Sequence, residues 1–147
     1  MKKPKNKTVK DFVKKPEFKF HFDGTDAIRP DLLETFAYAY AGQRNEVTVE
    51  TEEFTAVCPW SGLPDYALIT VKYVPDKKII ELRSFKYYLY SYRNVGIFQE
   101  HLTVRLLDDL VKACSPLEMT VITDYNIRGG IHTVSQAFYQ KKKTKNK

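Results

Sequence analysis

Hydrophobic and polar positions along the chain follow two different periods, and the switches between them outline the elements. Phe18, Phe20 and Phe22 alternate with Lys19 and His21, the two-residue period of a strand. Residues 31–41 follow the helical period. Leu32, Leu33, Phe36, Ala37 and Tyr40 share one face, Arg29-Pro30-Asp31 marks a start and Gly42 an end. Residues 46–57 are rich in Val and Thr and read as a strand. Residues 58–65 hold Pro59, Gly62 and Pro64 and read as a tight loop. Residues 66–74 alternate again, with Ile69, Val71 and Tyr73 on one face; residues 75–78 form a turn and residues 79–82 a short strand. Two helical stretches follow. Residues 84–93 are aromatic and basic. Residues 98–114 are amphipathic, with Phe98, Leu102, Leu106 and Leu110 four apart and Pro116 just beyond the end. Residues 118–125 and 131–138 are the last strands, and Arg128-Gly129-Gly130 between them suggests a hairpin.

Strands joined by short turns favour antiparallel pairing. With a helical pair set between two groups of strands, this is an α+β domain, a sheet carrying helices on one face. A length of 147 residues suits one domain with a real core, and 43% hydrophobic residues is a globular composition. No apolar run reaches the length of a membrane span, and the basic N-terminus has no apolar segment behind it.

Charge changes the picture. The total is +6, but residues 1–15, with seven Lys and one Asp, carry +6, and the five Lys of residues 141–147 carry +5. Removing both leaves −5 for residues 16–140. The body is mildly acidic between two basic tails, which read as solvated, disordered ends. A nucleic-acid-binding domain carries its basic charge on the folded surface, so no stable nucleic-acid partner is expected. Two cysteines and no secretory signal point to a reducing cytoplasm and away from a disulfide framework. Cys58, Cys114, His21, His101 and His132 show no zinc-ligand spacing, so no metal is expected.

Three clusters carry possible chemistry. Cys58-Pro59-Trp60-Ser61-Gly62-Leu63-Pro64-Asp65 can fold back to bring a thiol beside a carboxylic acid, a pairing suited to addition at a polarised carbon. Taken alone, these residues favour a small buried cysteine beside a turn-stabilising aspartate. Cys114 closes a helix on its apolar side and reads as a core residue. In the second cluster, Arg83 and Lys86 are three apart and share a face if a helix starts near Arg83. They fit dinucleotide phosphates, or an ordinary solvated basic face. No glycine-rich dinucleotide fingerprint or phosphate loop is present. In the third, Glu100 lies at the start of the long helix. It complements the helix dipole there, and a carboxylate is also the natural acceptor for adjacent N–H donors of a guanine edge.

Together these segments resemble the NADPH-dependent 7-cyano-7-deazaguanine reductases. Glu53-Phe54-Thr55-Ala56-Val57-Cys58-Pro59, continuing to Gly62, Pro64 and Asp65, is similar to that family's active-site segment. Glu81-Leu82-Arg83-Ser84-Phe85-Lys86-Tyr87-Tyr88 resembles its signature stretch, and Phe98-Gln99-Glu100 and Arg128-Gly129-Gly130 follow at the expected positions. The resemblance, to the unimodular type, runs from about Glu53 to Ile131. It implies the tunnelling fold over residues 16–140, assembled as a homo-oligomer into a ring-like barrel with active sites between subunits. It implies reduction of a nitrile to a primary amine by two NADPH, within queuosine modification of tRNA. Cys58 maps to the nucleophile that forms a thioimide, and Asp65 to the proton donor. Glu100 maps to the base-binding carboxylate, flanked by Gln99, and Ile80, Glu81 and Leu82 to the substrate-contacting stretch. Arg83, Lys86 and Arg128 map to cations for cofactor phosphate.

Two positions depart from the pattern. Arg83 stands where Lys is commoner, keeping the charge with a different hydrogen-bond geometry. Gln99 stands where many members have His, and Gln cannot carry a proton. His101 does not substitute for it, since two residues along a helix is a turn of about 200°. Three other functions compete. An amidinotransferase of the same fold would form the same thioimide, but that branch lacks the full Glu81–Tyr88 signature. A pterin-forming cyclohydrolase would need zinc ligands. A non-catalytic RNA-binding module would depend on the lysine tails.

Overall fold

The computed structural model describes residues 20–142. The N-terminal basic tail and the last five residues lie outside them. Lys141, assigned above to the C-terminal tail, is bound to the body: its Nζ lies 2.7 Å from Asp76 and its N–H donates to Leu117 O at 2.8 Å.

Two short 3-10 turns, Thr25–Ala27 and Pro30–Leu32, precede strand β1 (Thr35–Ala37). Then come β2 (Val47–Val57), β3 (Pro64–Val74), β4 (Lys78–Ile80), helix α1 (Leu82–Tyr90), helix α2 (Gln99–Cys114), β5 (Glu118–Tyr125) and β6 (Val134–Gln140). The main sheet is antiparallel in the order β2-β3-β5-β6, and β1 pairs with β4 in a separate ribbon. Alternation decides which face is covered. Ala67, Ile69, Val71 and Tyr73 of β3 and Met119, Val121 and Tyr125 of β5 are buried in one core with Phe85, Tyr88 and Leu89 of α1 and Leu102, Leu106 and Leu110 of α2. In β2 the alternation slips. Val47 and Val49 precede a bulge between Thr51 and Phe54, after which Phe54 and Ala56 face inward. One extra residue restores the inward register and leaves Glu52 and Glu53 in solvent. The α+β class and the helix pair on one face of an antiparallel sheet are therefore as expected.

Several elements differ from the sequence reading. Residues 31–41 are not a helix. Backbone pairing with β4 draws Thr35–Ala37 into an extended strand, with Thr35 opposite Ile80, and the Glu34 N–H donates to Ser84 Oγ at 3.0 Å. A short isolated helix is marginal, and an open strand edge with a fixed register outcompetes it. Leu32 and Leu33 still pack on the core, while Phe36 and Tyr40 stay 52% and 65% exposed. Of the strand expected at residues 18–22, the first two residues lie outside the described ones and residues 20–22 are irregular. Asp23 bridges Val95 instead. Asp65 belongs to β3, opposite Ala56, not to the loop. Leu82 opens α1, because Glu81 caps it by accepting from the N–H groups of Arg83 (2.8 Å) and Ser84 (2.6 Å). Between β5 and β6, Gly129 and Gly130 have φ of 56° and 78°, and Arg128 and Ile131 exchange two backbone bonds of 3.0 Å. That is the primed turn two adjacent glycines favour.

A buried polar network joins the helices. The Tyr88 hydroxyl donates to Asp109 at 2.8 Å and lies 2.8 Å from the Tyr92 hydroxyl, and Arg105 Nε donates to Asp109 at 2.7 Å. Burial, with Tyr92 and Asp109 beside it, pushes the Tyr88 phenol far above its ordinary value. Asp109→Ala strands these donors and should lower stability by about 2 kcal/mol, measured by urea denaturation, with Asp109→Asn losing less.

Candidate active site

Cys58 begins the connection between β2 and β3. Its N–H donates to Leu63 O at 2.9 Å and its carbonyl accepts from the Gly62 N–H at 2.8 Å, closing the loop on itself. Gly62 is required twice. Its φ is 71°, and a Cβ there would stand 2.7 Å from the Cβ of Phe20. The loop turns its donors toward sulfur. Burial pushes the Cys58 thiol up, but the Ser61 hydroxyl and the backbone N–H groups of Ser61 and Trp60 outweigh it. The thiol ends below its ordinary value, although the charge of Asp65 works against this.

Asp65 lies on the helix-covered face of β3 and is only 4% exposed. Its carboxylate accepts from the Arg128 guanidinium, whose other nitrogen lies 3.5 Å from Ser61 Oγ. Arg128 is raised above its ordinary value, first by the hydrogen bond to Asp65 and also by the Cys58 sulfur. Thiol, hydroxyl, carboxylate and guanidinium thus form one connected group.

The start of α2 is tied to this group through the backbone. The Val57 N–H donates to Val95 O at 2.9 Å, and the Ile97 N–H donates to Val57 O at 3.0 Å. The residue before Cys58 is thereby joined to the segment leading into Gln99 and Glu100. Tyr125 lies between. Its hydroxyl donates to Gln99 O at 3.4 Å. Its phenol is pushed above the ordinary range by burial, with the charges of Asp65 and Glu100 both adding to the rise. The charges of Asp65 and Glu100 both reach this tyrosine, and Glu100 is exposed in the first turn of α2.

A family model described as "QueF-like protein" matches residues 64–144. An NADPH-dependent 7-cyano-7-deazaguanine reductase of Caldicellulosiruptor bescii is 50% identical over 84% of this chain and 94% of its own length. The chain belongs to this family. A reductase of the same name from Thermoanaerobacter pseudethanolicus is 48% identical over 86% of this chain and 96% of its own length. Among solved structures, an archaeosine synthase QueF-Like in the apo form overlays with a TM-score of 0.58 and 24% identity, covering 67% of this chain and 94% of that one. That likeness bears on the tunnelling fold alone.

Of the site residues expected from the resemblance to the reductases, the fold pairs Asp65 with Arg128 against the Cys58 loop, where the guanidinium lies 3.5 Å from Ser61 Oγ, and ties the segment leading into Gln99 and Glu100 to Val57 through the backbone. Arg83 and Lys86 are not part of that contact group. Both are exposed on α1, and no hydrogen bond or ion pair among the described residues links them to Cys58, Asp65 or Glu100. Lys86 Nζ lies 5.7 Å from the Tyr90 ring centroid. Ile80 is buried, Leu82 is exposed and the Glu81 carboxylate is committed to the α1 cap. Ser61 and Tyr125 went unassigned from sequence. Ser61 stood inside the loop motif and was open to notice; nothing in the alternation of β5 singles out Tyr125.

Cys114 is buried, donates to Leu110 O at 3.3 Å and is pushed up to about 11 by burial. Iodoacetamide at neutral pH should therefore modify Cys58 and spare Cys114 in the folded protein, read by peptide mass spectrometry. Because the Cys58 thiol is lowered, its rate should fall only as pH drops through that lowered value, below where an ordinary thiol loses reactivity.

Proposed function

We propose that this chain reduces the nitrile of 7-cyano-7-deazaguanine to the primary amine with NADPH, as the names of its relatives state for them. The carrying observation is a lowered thiol beside a buried, guanidinium-paired carboxylate, within a chain of this family.

In this reading the Cys58 sulfur forms a bond to the nitrile carbon while its S–H proton passes by way of Asp65 to the nitrile nitrogen, giving a thioimide. Glu100, exposed at the helix N-terminus, accepts from the adjacent N–H groups of the base, with Gln99 beside it. Residues 80–82 complete the base pocket, Leu82 offering the exposed apolar surface. The residues of α1 fit a dinucleotide phosphate. Arg83 and Lys86 stand one turn apart on the exposed face, in no ion pair among the described residues, with Tyr87 and Tyr90 also exposed. NADPH, when bound, supplies the hydride. Arg128 can serve a phosphate only by leaving Asp65.

The chain is further proposed to act in the cytoplasm, in queuosine modification of tRNA, without a stable nucleic-acid partner. Among the described residues no helix is long and apolar enough to cross a membrane. A homo-oligomer closing into a ring-like barrel, with sites between subunits, is supported by the edges of the sheet: among the described residues β6 and most of β2 have no second strand partner. Val134 and Phe138 on β6 are more than half exposed.

Purified protein should consume two NADPH per base, followed by nicotinamide absorbance, and Cys58→Ala should consume none. Without NADPH, the protein should gain the mass of the intact base at Cys58. Glu100→Ala should raise KM for the base about tenfold or more, the loss of a charge-assisted pair. An adduct without NADPH consumption would exchange hydride for an amine nucleophile and overturn the reductase reading.

A further inference from the structure

Residues 20–23 precede the first 3-10 turn and belong to no strand or helix, yet they touch both halves of the site. Phe20 rests on Gly62 of the Cys58 loop, where a Cβ would stand 2.7 Å from the Phe20 Cβ and 3.2 Å from its ring. Phe22 rests on Gly96, shortly before α2, where a Cβ would run into the Phe22 ring. The backbone then pins the end of the segment. The Asp23 N–H donates to Asn94 O at 2.7 Å, and the Gly96 N–H donates to Asp23 O at 2.9 Å. The Asn94 side-chain amide donates to the Asp23 carboxylate at 3.1 Å. The Cα atoms of Phe20 and Phe22 are at most about 7 Å apart. Two glycines that are distant in sequence, one after β2 and one after α1, therefore lie under a single short stretch of chain.

Burial alone does not account for this arrangement. Phe20 is 49% exposed and Phe22 38%, so each ring forgoes much of the stabilisation a core phenylalanine gives. What the rings do is limit movement. Each sits where a glycine leaves room for it and for nothing more. Gly62 donates its N–H to Cys58 O at 2.8 Å and so closes the loop whose Ser61 hydroxyl and Ser61 and Trp60 N–H groups face the sulfur. Gly96 lies between Val95 and Ile97, the two residues bonded to Val57, on the path into Gln99 and Glu100.

We propose that residues 20–22 strap the two halves of the site together, with Phe20 a positioning residue for the Cys58 loop and Phe22 a positioning residue for the start of α2 and so for Glu100. The part concerning Glu100 rests on the nitrile reading above; the part concerning the thiol does not. With Phe20 cut back, Gly62 is free to lift, the bond to Cys58 O opens and the donors leave the sulfur. Burial then works unopposed and the thiol moves up. With Phe22 cut back, residues 95–97 keep their bonds to Val57 but lose the wall on their other side. The first turn of α2 then holds the base carboxylate in a looser orientation.

The test uses the full chain with Phe20→Ala, Phe22→Ala and the conservative Phe20→Leu, each checked for fold by circular dichroism. Iodoacetamide alkylation of Cys58 against pH reads the loop and needs neither base nor NADPH. KM and kcat for 7-cyano-7-deazaguanine read the start of α2. In Phe20→Ala the midpoint of alkylation should rise by about half a pH unit, a thiolate fraction about threefold smaller at neutral pH, with recovery in Phe20→Leu. In Phe22→Ala the midpoint should stay and KM for the base should rise several-fold at nearly unchanged kcat. Gly96→Ala, whose Cβ displaces the Phe22 ring, should reproduce the rise in KM. A parental midpoint in Phe20→Ala, or a parental KM in Phe22→Ala, overturns the proposal, since a strap must hold both halves. A lower unfolding temperature with both readouts unmoved marks packing alone and overturns it as well. If Phe20→Ala does not fold, Phe20→Leu carries that arm, and a parental midpoint there overturns the proposal. If Phe22→Ala does not fold, Gly96→Ala decides in the same way. A parent that consumes no NADPH overturns the reductase reading, and the alkylation midpoint then judges the strap.

Discussion

Two backbone hydrogen bonds at Val57 hold the site together. The end of β2 has β3 on one side, and on the other side its Val57 N–H and C=O pair with Val95 and Ile97. Those bonds fix where the chain leaves α1 and enters α2. Cys58 follows Val57 directly, and Gln99 and Glu100 follow Ile97 by two and three residues, so the two halves of the site inherit one geometry. The pairing is also buried: Val57, Val95 and Ile97 are each 7% exposed or less. Backbone groups so far from water have strong reason to stay paired.

Within that frame the site is built by opposing effects near balance. Burial opposes a charged sulfur, and the Ser61 hydroxyl with the loop N–H groups overcomes it. Asp65 opposes it again, and Arg128 faces Asp65. Asp109 shows the same logic in a purely structural setting, where a buried carboxylate is held by Tyr88 and Arg105. The difference lies in access. Cys58 is partly exposed beside Trp60, which is 90% exposed, whereas Tyr88, Tyr92 and Asp109 are buried.

The long elements were legible in the sequence because one face of each is buried and the period survives. Leu102, Leu106 and Leu110 are fully buried as their spacing required, and Glu118–Tyr125 has the bounds its alternation implied. Residues 31–41 misled because Leu32 and Leu33 do reach the core, so their apolar pattern was real while its period was not. A three-residue strand is too short to show a period, and its existence depends on β4, over forty residues away. At the site, Cys58 and Asp65 were visible as residue types in a tight loop. The turn of Arg128 into that loop was not, because it depends on β3 and β5 being neighbours, which no local pattern encodes.

Fold likeness does not select the reaction. An archaeosine synthase shares the architecture at 24% identity, and a thiol with a paired acid can precede either hydride or amine attack. The part of the chain that must discriminate is the part that would admit a reductant. In the proposed reaction Cys58, Asp65 and Glu100 act on the base, whatever attacks the thioimide next. The exposed face of α1 is different. Glu81 fixes where that helix starts by capping it, and the start sets Arg83 and Lys86 on the side away from buried Ser84, Phe85, Tyr88 and Leu89. Shifting the cap by one residue would turn those cations by about 100° and bury one of them. The carboxylate of Glu81 therefore shapes the proposed cofactor surface through the backbone N–H groups of Arg83 and Ser84, and in the proposed function the helix cap matters to the choice of reductase over transferase alongside the nucleophile.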